Sequence, residues 1–166
     1  MVNNFKYLSI ILSHDDDNPE IQAQYRNICA RSNTLLRKFT KCHDDIKAKL
    51  FKSFCGDIYG ISLWCTFSKK VLNTLRVCYN NSLRYLLNLN KFCSASLMYV
   101  YYNVKSFPEV MRRNQWNLIQ TINTSNSLIS ACSLPLMRNT KLWKYWRESL
   151  YTRNLILNTK LLFYIF

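Results

Sequence analysis

The hydrophobic pattern changes period soon after the chain begins. Phe5 to Leu12 is apolar except for Lys6 and Ser9, and this predicts one short N-terminal β-strand. Asn18-Pro19-Glu20 then carries three helix-start signals: Asn as N-cap, Pro at the first helical position and Glu in the first turn. Ile21, Tyr25, Ile28, Leu35, Leu36 and Phe39 follow at helical spacing. His43-Asp44-Asp45 opens a second helix with apolar positions Ile46, Leu50, Phe51 and Phe54, and Gly56 ends or bends it. Ile58 to Phe67 is almost wholly apolar and reads as a buried helical segment. Ser68 caps a third helix from Lys69 to about Leu89. Ser94 opens a short helix, and Ser106 or Phe107, with Pro108 in the first turn, opens another that runs through Trp116 to about Ile122. Pro135 separates a last basic-aromatic helix near Leu142 to Tyr151.

On a wheel of the third helix, Val71, Leu72, Leu75, Cys78, Tyr79, Ser82, Leu83, Leu86 and Leu89 fall in one arc about 140° wide. The opposite arc holds Asn73, Arg76, Asn80, Asn81, Arg84 and Asn88, without an acid. Such a face suits phosphate and sugar oxygens, because no carboxylate competes for the guanidinium groups; a plain solvated face fits the same pattern. In the second helix Lys49 and Lys52 share the polar side, whereas Lys47 falls within the apolar arc, placed to snorkel or to meet a partner.

Charge sharpens this picture. Residues 1–57 carry nine Lys/Arg against seven Asp/Glu, a net of +2, and residues 58–166 carry fourteen against two, a net of +12. A solvated surface usually mixes signs; a field of one sign points to a polyanion, either nucleic acid or an anionic membrane face. The 24 aromatic residues interleave with these bases, so some are placed to stack on exposed nucleotides, although their helical spacing assigns most of them to the core. Gly56 and Gly60 are the only glycines, which excludes a Gly-rich dinucleotide turn or a phosphate-binding loop and disfavours an all-β fold.

Asp15-Asp16-Asp17 invites a metal-site reading. Two-metal phosphoryl transfer needs carboxylates from at least two rigid elements. Here one apolar strand precedes the aspartates and a helix start follows them, so no strand is expected on their far side and no catalytic role is assigned to them. Solvation and the helix dipole account for them. The seven cysteines include no pair closer than ten positions, and His14 and His43 complete no zinc pattern, so no metal is expected and the thiols are read as free. Neither histidine has a serine or cysteine partner in a recognisable nucleophile elbow.

The order of short motifs carries a resemblance. Lys6-Tyr7-Leu8 is followed by Arg26, then Asn33-Thr34-Leu35-Leu36-Arg37-Lys38-Phe39, Ile46-Lys47, and Leu50-Phe51-Lys52-Ser53-Phe54-Cys55. Tyr59-Gly60, Leu63-Trp64, Tyr79-Asn80 and Arg84 come next, then Ser94-Ala95-Ser96-Leu97-Met98, Ser106-Phe107-Pro108-Glu109 and Met111-Arg112-Arg113. Over about residues 5–131 this resembles the segment after the catalytic palm in reverse transcriptases of non-LTR (LINE-type, jockey-like) retrotransposons. The resemblance implies a helical thumb that holds a primer–template duplex by its backbone. It also implies catalytic aspartates upstream of the Lys-Tyr-Leu block, and the chain starts four residues before Phe5. Ser9 replaces the family's usual glycine, and the arginine expected near Gln120-Thr121 is absent; both departures imply a degenerate or domesticated copy.

The expectation is therefore a mostly α, thumb-like helical bundle with one short N-terminal strand. Residues 1–17 would be a remnant of the palm strand and its acidic loop, 18–131 the thumb-like domain and 132–166 a divergent basic-aromatic tail. The expected function is that of a reverse transcriptase fragment without its own polymerase chemistry, binding the backbone of a DNA or RNA duplex non-specifically. Lys49, Lys52, Lys69, Lys70, Arg76, Arg84, Arg112 and Arg113 are the candidate contacts. No cofactor, metal or small-molecule ligand is expected. The alternatives are a peripheral membrane module using Lys141-Leu142-Trp143-Lys144-Tyr145-Trp146, and a translated relic without function. No apolar run reaches the roughly 20 residues that span a bilayer. With no secretory leader recognised, the expected location is intracellular, in nucleus or cytoplasm.

Overall fold

The computed structural model describes residues 4–7, 10–13, 18–125, 127, 128, 132, 135, 136, 138, 140, 143, 144 and 147. The acidic stretch Asp15-Asp16-Asp17 and most of the tail helix expected near 142–151 lie outside them. Strands β1 (Asn4–Tyr7) and β2 (Ile10–Ser13) precede helices α1 (Asn18–Lys38) and α2 (Asp44–Cys55). A 3-10 helix (Ile61–Thr66) leads to α3 (Lys69–Leu86), α4 (Ala95–Tyr101) and α5 (Phe107–Thr124). The protein is mostly α, as the periodicity predicts. The stretch read as one strand is a hairpin, pairing Tyr7 with Ile10 and Asn4 with Ser13 in antiparallel register.

The chain forms two compact units, one of residues 1–60 and 67–111, the other of 61–66 and 112–166. In the first unit α3 packs against α1 and α2, and α1 also meets β2. The buried side of α3 is Leu75, Cys78, Tyr79, Ser82, Leu83 and Leu86, six of the nine positions on the predicted arc. Tyr79 is its anchor. Its ring meets Phe51 of α2 edge-on at 5.0 Å and Phe107 at 6.2 Å, and its hydroxyl donates to the Lys105 carbonyl at 3.1 Å. In the second unit Ile61, Trp64 and Ile119 are buried.

Where the expected apolar stripes fail, polar pairing explains the shift. In α1 the buried positions are Glu20, Ile21, Gln24, Ile28, Ser32 and Leu35, while Tyr25 and Leu36 are exposed. The Glu20 carboxylate accepts from the Ile11 backbone N–H at 2.8 Å and from the Gln24 amide at 2.9 Å. Ser32 donates to the Ser82 carbonyl of α3 at 3.2 Å. Buried polar groups are tolerated when paired in this way. In α2 the buried stripe is Ala48, Phe51 and Cys55, leaving Ile46 and Phe54 outside. Lys47 pairs with Asp44 at 3.0 Å.

The helix ends follow from local chemistry. His43 caps α2 by accepting from the Asp45 N–H, and Ser68 caps α3 by accepting from the Val71 N–H. The C-termini of α3 and α4 close with the same pattern. Asn88 N–H bonds the Tyr85 carbonyl and Leu89 N–H the Arg84 carbonyl; Asn103 and Val104 do the same to Val100 and Tyr99. These are Schellman closures, which need a left-handed residue. In a chain with so few glycines Asn supplies it, at φ 51° and 50°. The segment read as a buried helix from Ile58 to Phe67 is corrected. Gly60 at φ 77° interrupts it, and the helical part is the short 3-10 helix Ile61–Thr66, whose buried positions Ile61 and Trp64 stand three residues apart.

Candidate nucleic-acid interface

Helix α3 positions four of the eight candidate cations, Lys69, Lys70, Arg76 and Arg84. Its first turn contains Lys69 and Lys70 and no acid. Lys69, Lys70 and Arg76 are exposed, and on α2 Lys49 is exposed and Lys52 half-buried. Among the described residues no carboxylate pairs with any of these five. Asp44 is engaged by Lys47, and Asp45 lies 3.3 Å from His43. The side chains of Arg112 and Arg113 are exposed on α5 in the second unit.

Arg84 is different. Its Nε and Nη2 donate to the Cys93 carbonyl at 3.2 and 2.9 Å, and its Nη1 donates to Asn81 Oδ1 at 3.0 Å. The guanidinium therefore ties the α3–α4 connection back onto α3. One helical turn earlier, Asn80 Oδ1 accepts from the Tyr99 hydroxyl of α4. Burial raises the Tyr99 phenol above its ordinary value, and a backbone hydrogen bond together with the Arg84 and Arg76 charges pulls it back in part. The arc expected to be free is thus partly roofed, by α4 at Asn80 and by the α3–α4 connection at Arg84, while Arg76 stays open. Helical spacing alone does not say which surface residue a neighbouring segment covers.

Two shallow grooves flank the outer side of α3. One, of about 560 Å³, runs between α1 and α3; Ser32, Asn33, Asn73, Asn81, Tyr25 and Tyr85 line it, and its lining carries no formal charge. The other, of about 570 Å³, is lined by Arg84, Lys91, Tyr85, Phe92, Asn81 and Asn90 among others. Asn81 and Tyr85 belong to both. Tyr85 is 74% exposed and Phe92 83%, and the Lys91 ammonium sits 4.9 Å from the Phe92 ring centre. Exposed rings beside cations and amides are groups on which unstacked bases can stack. Lys91 and Phe92 were missed by sequence reasoning because they lie in a connection, where no periodicity marks exposure. The available signal was Asn88, Asn90 and Lys91, polar residues that break the helical apolar pattern just after Leu86-Leu87.

Among the described residues no group of three or more His, Cys, Asp or Glu side chains is placed to hold a metal ion, and no helix is long and apolar enough to cross a membrane. Of the basic-aromatic stretch at 141–146, Trp143 and Lys144 are described, Trp143 buried and Lys144 exposed. Comparison with known proteins returns no matching family model, no matching curated protein and no matching solved structure.

Proposed function

We propose that this chain is a sequence-independent nucleic-acid-binding module, related to the helical thumb of non-LTR reverse transcriptases and without polymerase chemistry of its own. The observation that carries the reading is the acid-free outer side of α3 and its C-terminal connection. Lys69, Lys70, Arg76 and Lys91 provide cations there, and Tyr85 and Phe92 provide exposed rings. Lys49 and Lys52 extend the set of backbone contacts, Arg112 and Arg113 are separate candidate contacts of the second unit, and Arg84 acts by holding the α3–α4 connection in place. The order of motifs over residues 5–131 supports the reverse transcriptase origin.

Fluorescence anisotropy with labelled duplex and single-stranded oligonucleotides tests this. Affinity should fall by roughly tenfold or more between about 50 and 200 mM salt as released counterions are repaid. Replacing Lys69, Lys70 and Arg76 together by Ala should weaken duplex and single strand alike and flatten the salt slope. Tyr85→Ala with Phe92→Ala should weaken the single strand by about 1–3 kcal/mol per stacked base and leave the duplex nearly unchanged. Absence of binding at about 50 mM salt, or affinity indifferent to salt, refutes the proposal. Primer extension by the chain alone is expected to be absent.

A further inference from the structure

Cys29 of α1 and Cys78 of α3 stand 49 positions apart in the chain, and their Sγ atoms are 3.6 Å apart. Among the described cysteines they are the pair in sulfur contact. Cys78 is buried, with its Sγ also 3.9 Å from the Tyr25 carbonyl; Cys29 is half-buried. Both residues line the neutral groove between α1 and α3, the route by which a small oxidant would approach them. A disulfide needs an S–S separation of about 2.05 Å, so the pair must approach by about 1.5 Å from its 3.6 Å contact. Side-chain rotation, with any backbone adjustment the Cα spacing demands, must supply that approach.

We propose that Cys29 and Cys78 form a reversible oxidation site, closed to an α1–α3 disulfide by peroxide or by a low-molecular-weight disulfide. The more accessible Cys29 reacts first. With peroxide its thiolate sulfur attacks one oxygen; an S–O bond forms, the O–O bond breaks, and hydroxide leaves to be protonated to water. The Cys78 sulfur then attacks the Cys29 sulfenic acid. The S–S bond forms, the S–O bond breaks, and the departing hydroxide leaves as water with the Cys78 proton. Two thiols lose two electrons and one peroxide becomes two waters. With a small disulfide, Cys29 displaces one thiol to give a mixed disulfide, and Cys78 displaces the second. Burial, reinforced by the hydrogen bond with Cys29, pushes the Cys78 thiol up to about 12, so Cys78 is the slower nucleophile and Cys29 the first of the two to react.

The test uses the reduced full-length protein, treated in parallel with hydrogen peroxide and with oxidised glutathione. Remaining thiols are blocked with N-ethylmaleimide, and the products are read by intact mass and peptide mapping. A Cys29–Cys78 linked peptide should dominate the intramolecular products in at least one arm, identifying the oxidant class, and dithiothreitol should restore both thiols. In Cys78→Ala, the sulfenic or mixed-disulfide adduct should accumulate at Cys29. The urea midpoint of the wild type should rise on oxidation, and that of Cys29→Ser should not move. Both cysteines staying alkylatable in both arms overturns the proposal. So does Cys29 linking to Cys42, Cys93 or Cys132 as readily as to Cys78. If Cys78→Ala fails to fold by circular dichroism, the wild-type peptide map decides.

Discussion

Replacing Arg84 by Met separates what its charge does for the fold from what it does for binding. The aliphatic stem is kept, and the guanidinium is lost. Three hydrogen bonds go with it, two on the Cys93 carbonyl at 3.2 and 2.9 Å and one on Asn81 Oδ1 at 3.0 Å. A hydrogen bond from a charged donor contributes about 1.5–3 kcal/mol when water cannot replace it. Arg84 and Cys93 are both half-buried and Asn81 is exposed, so water recovers much of the three-bond total. The expected net loss is about 2 kcal/mol, or roughly 4–8 °C in Tm for a chain of this size. Lys at the same position recovers less than half, because one ammonium cannot span the Cys93 carbonyl and Asn81 as the fork does. Urea unfolding followed by circular dichroism measures the stability, and anisotropy titration at two salt concentrations measures the binding. Arg76→Met is the contrast: it should weaken binding while changing stability by less than about 0.5 kcal/mol. An Arg84→Met protein as stable as wild type, or an Arg84→Lys protein indistinguishable from it, shows that the clamp does not hold the connection.

Asn88→Gly and Asn103→Gly should each stabilise by up to about 1 kcal/mol, since both residues are left-handed, and Ala at either site should destabilise by a similar amount; equal urea midpoints for the Gly and Ala variants would contradict the capping assignment. Glu20→Ala should cost about 2–3 kcal/mol, because the Ile11 N–H and the Gln24 amide lose their acceptor. Limited proteolysis should then cut the hairpin selectively, and an unchanged digestion pattern would contradict that role for Glu20. The fold should also weaken in alkali. Burial raises the Cys55 thiol from 9.0 to about 11, opposed in part by the Arg31 charge, and burial likewise raises the Tyr79 phenol. These groups are protonated when folded, so their stabilisation is complete below the ordinary thiol value and is lost as pH rises toward the folded one. Cys55 alone accounts for about 3 kcal/mol across that window, and a urea midpoint constant between about pH 8 and about pH 11 would contradict its burial as a thiol.

The helix starts were legible in the sequence because capping is local. His43 and Ser68 satisfy N–H groups two and three residues ahead, and residues that near in the chain meet however the rest folds. The core stripe of α3 was legible for the same reason: nine apolar or small residues repeat over five turns, and no other period buries them together. The acid-free run from Ile58 to Pro108 needed no structure, since composition alone sets the sign of a field. Tertiary structure decided the rest. It turned one apparent strand into a hairpin and held it by Glu20, a first-turn acid that sequence rules assign to solvent and the helix dipole. It moved the buried stripes of α1 and α2 toward Gln24, Ser32 and Cys55. It diverted Arg84 from an open face to a backbone carbonyl, and it brought together two sulfurs separated by 49 positions. Each of these depends on a partner distant in the chain, and a polar group's cost on burial is fixed by whether that partner arrives.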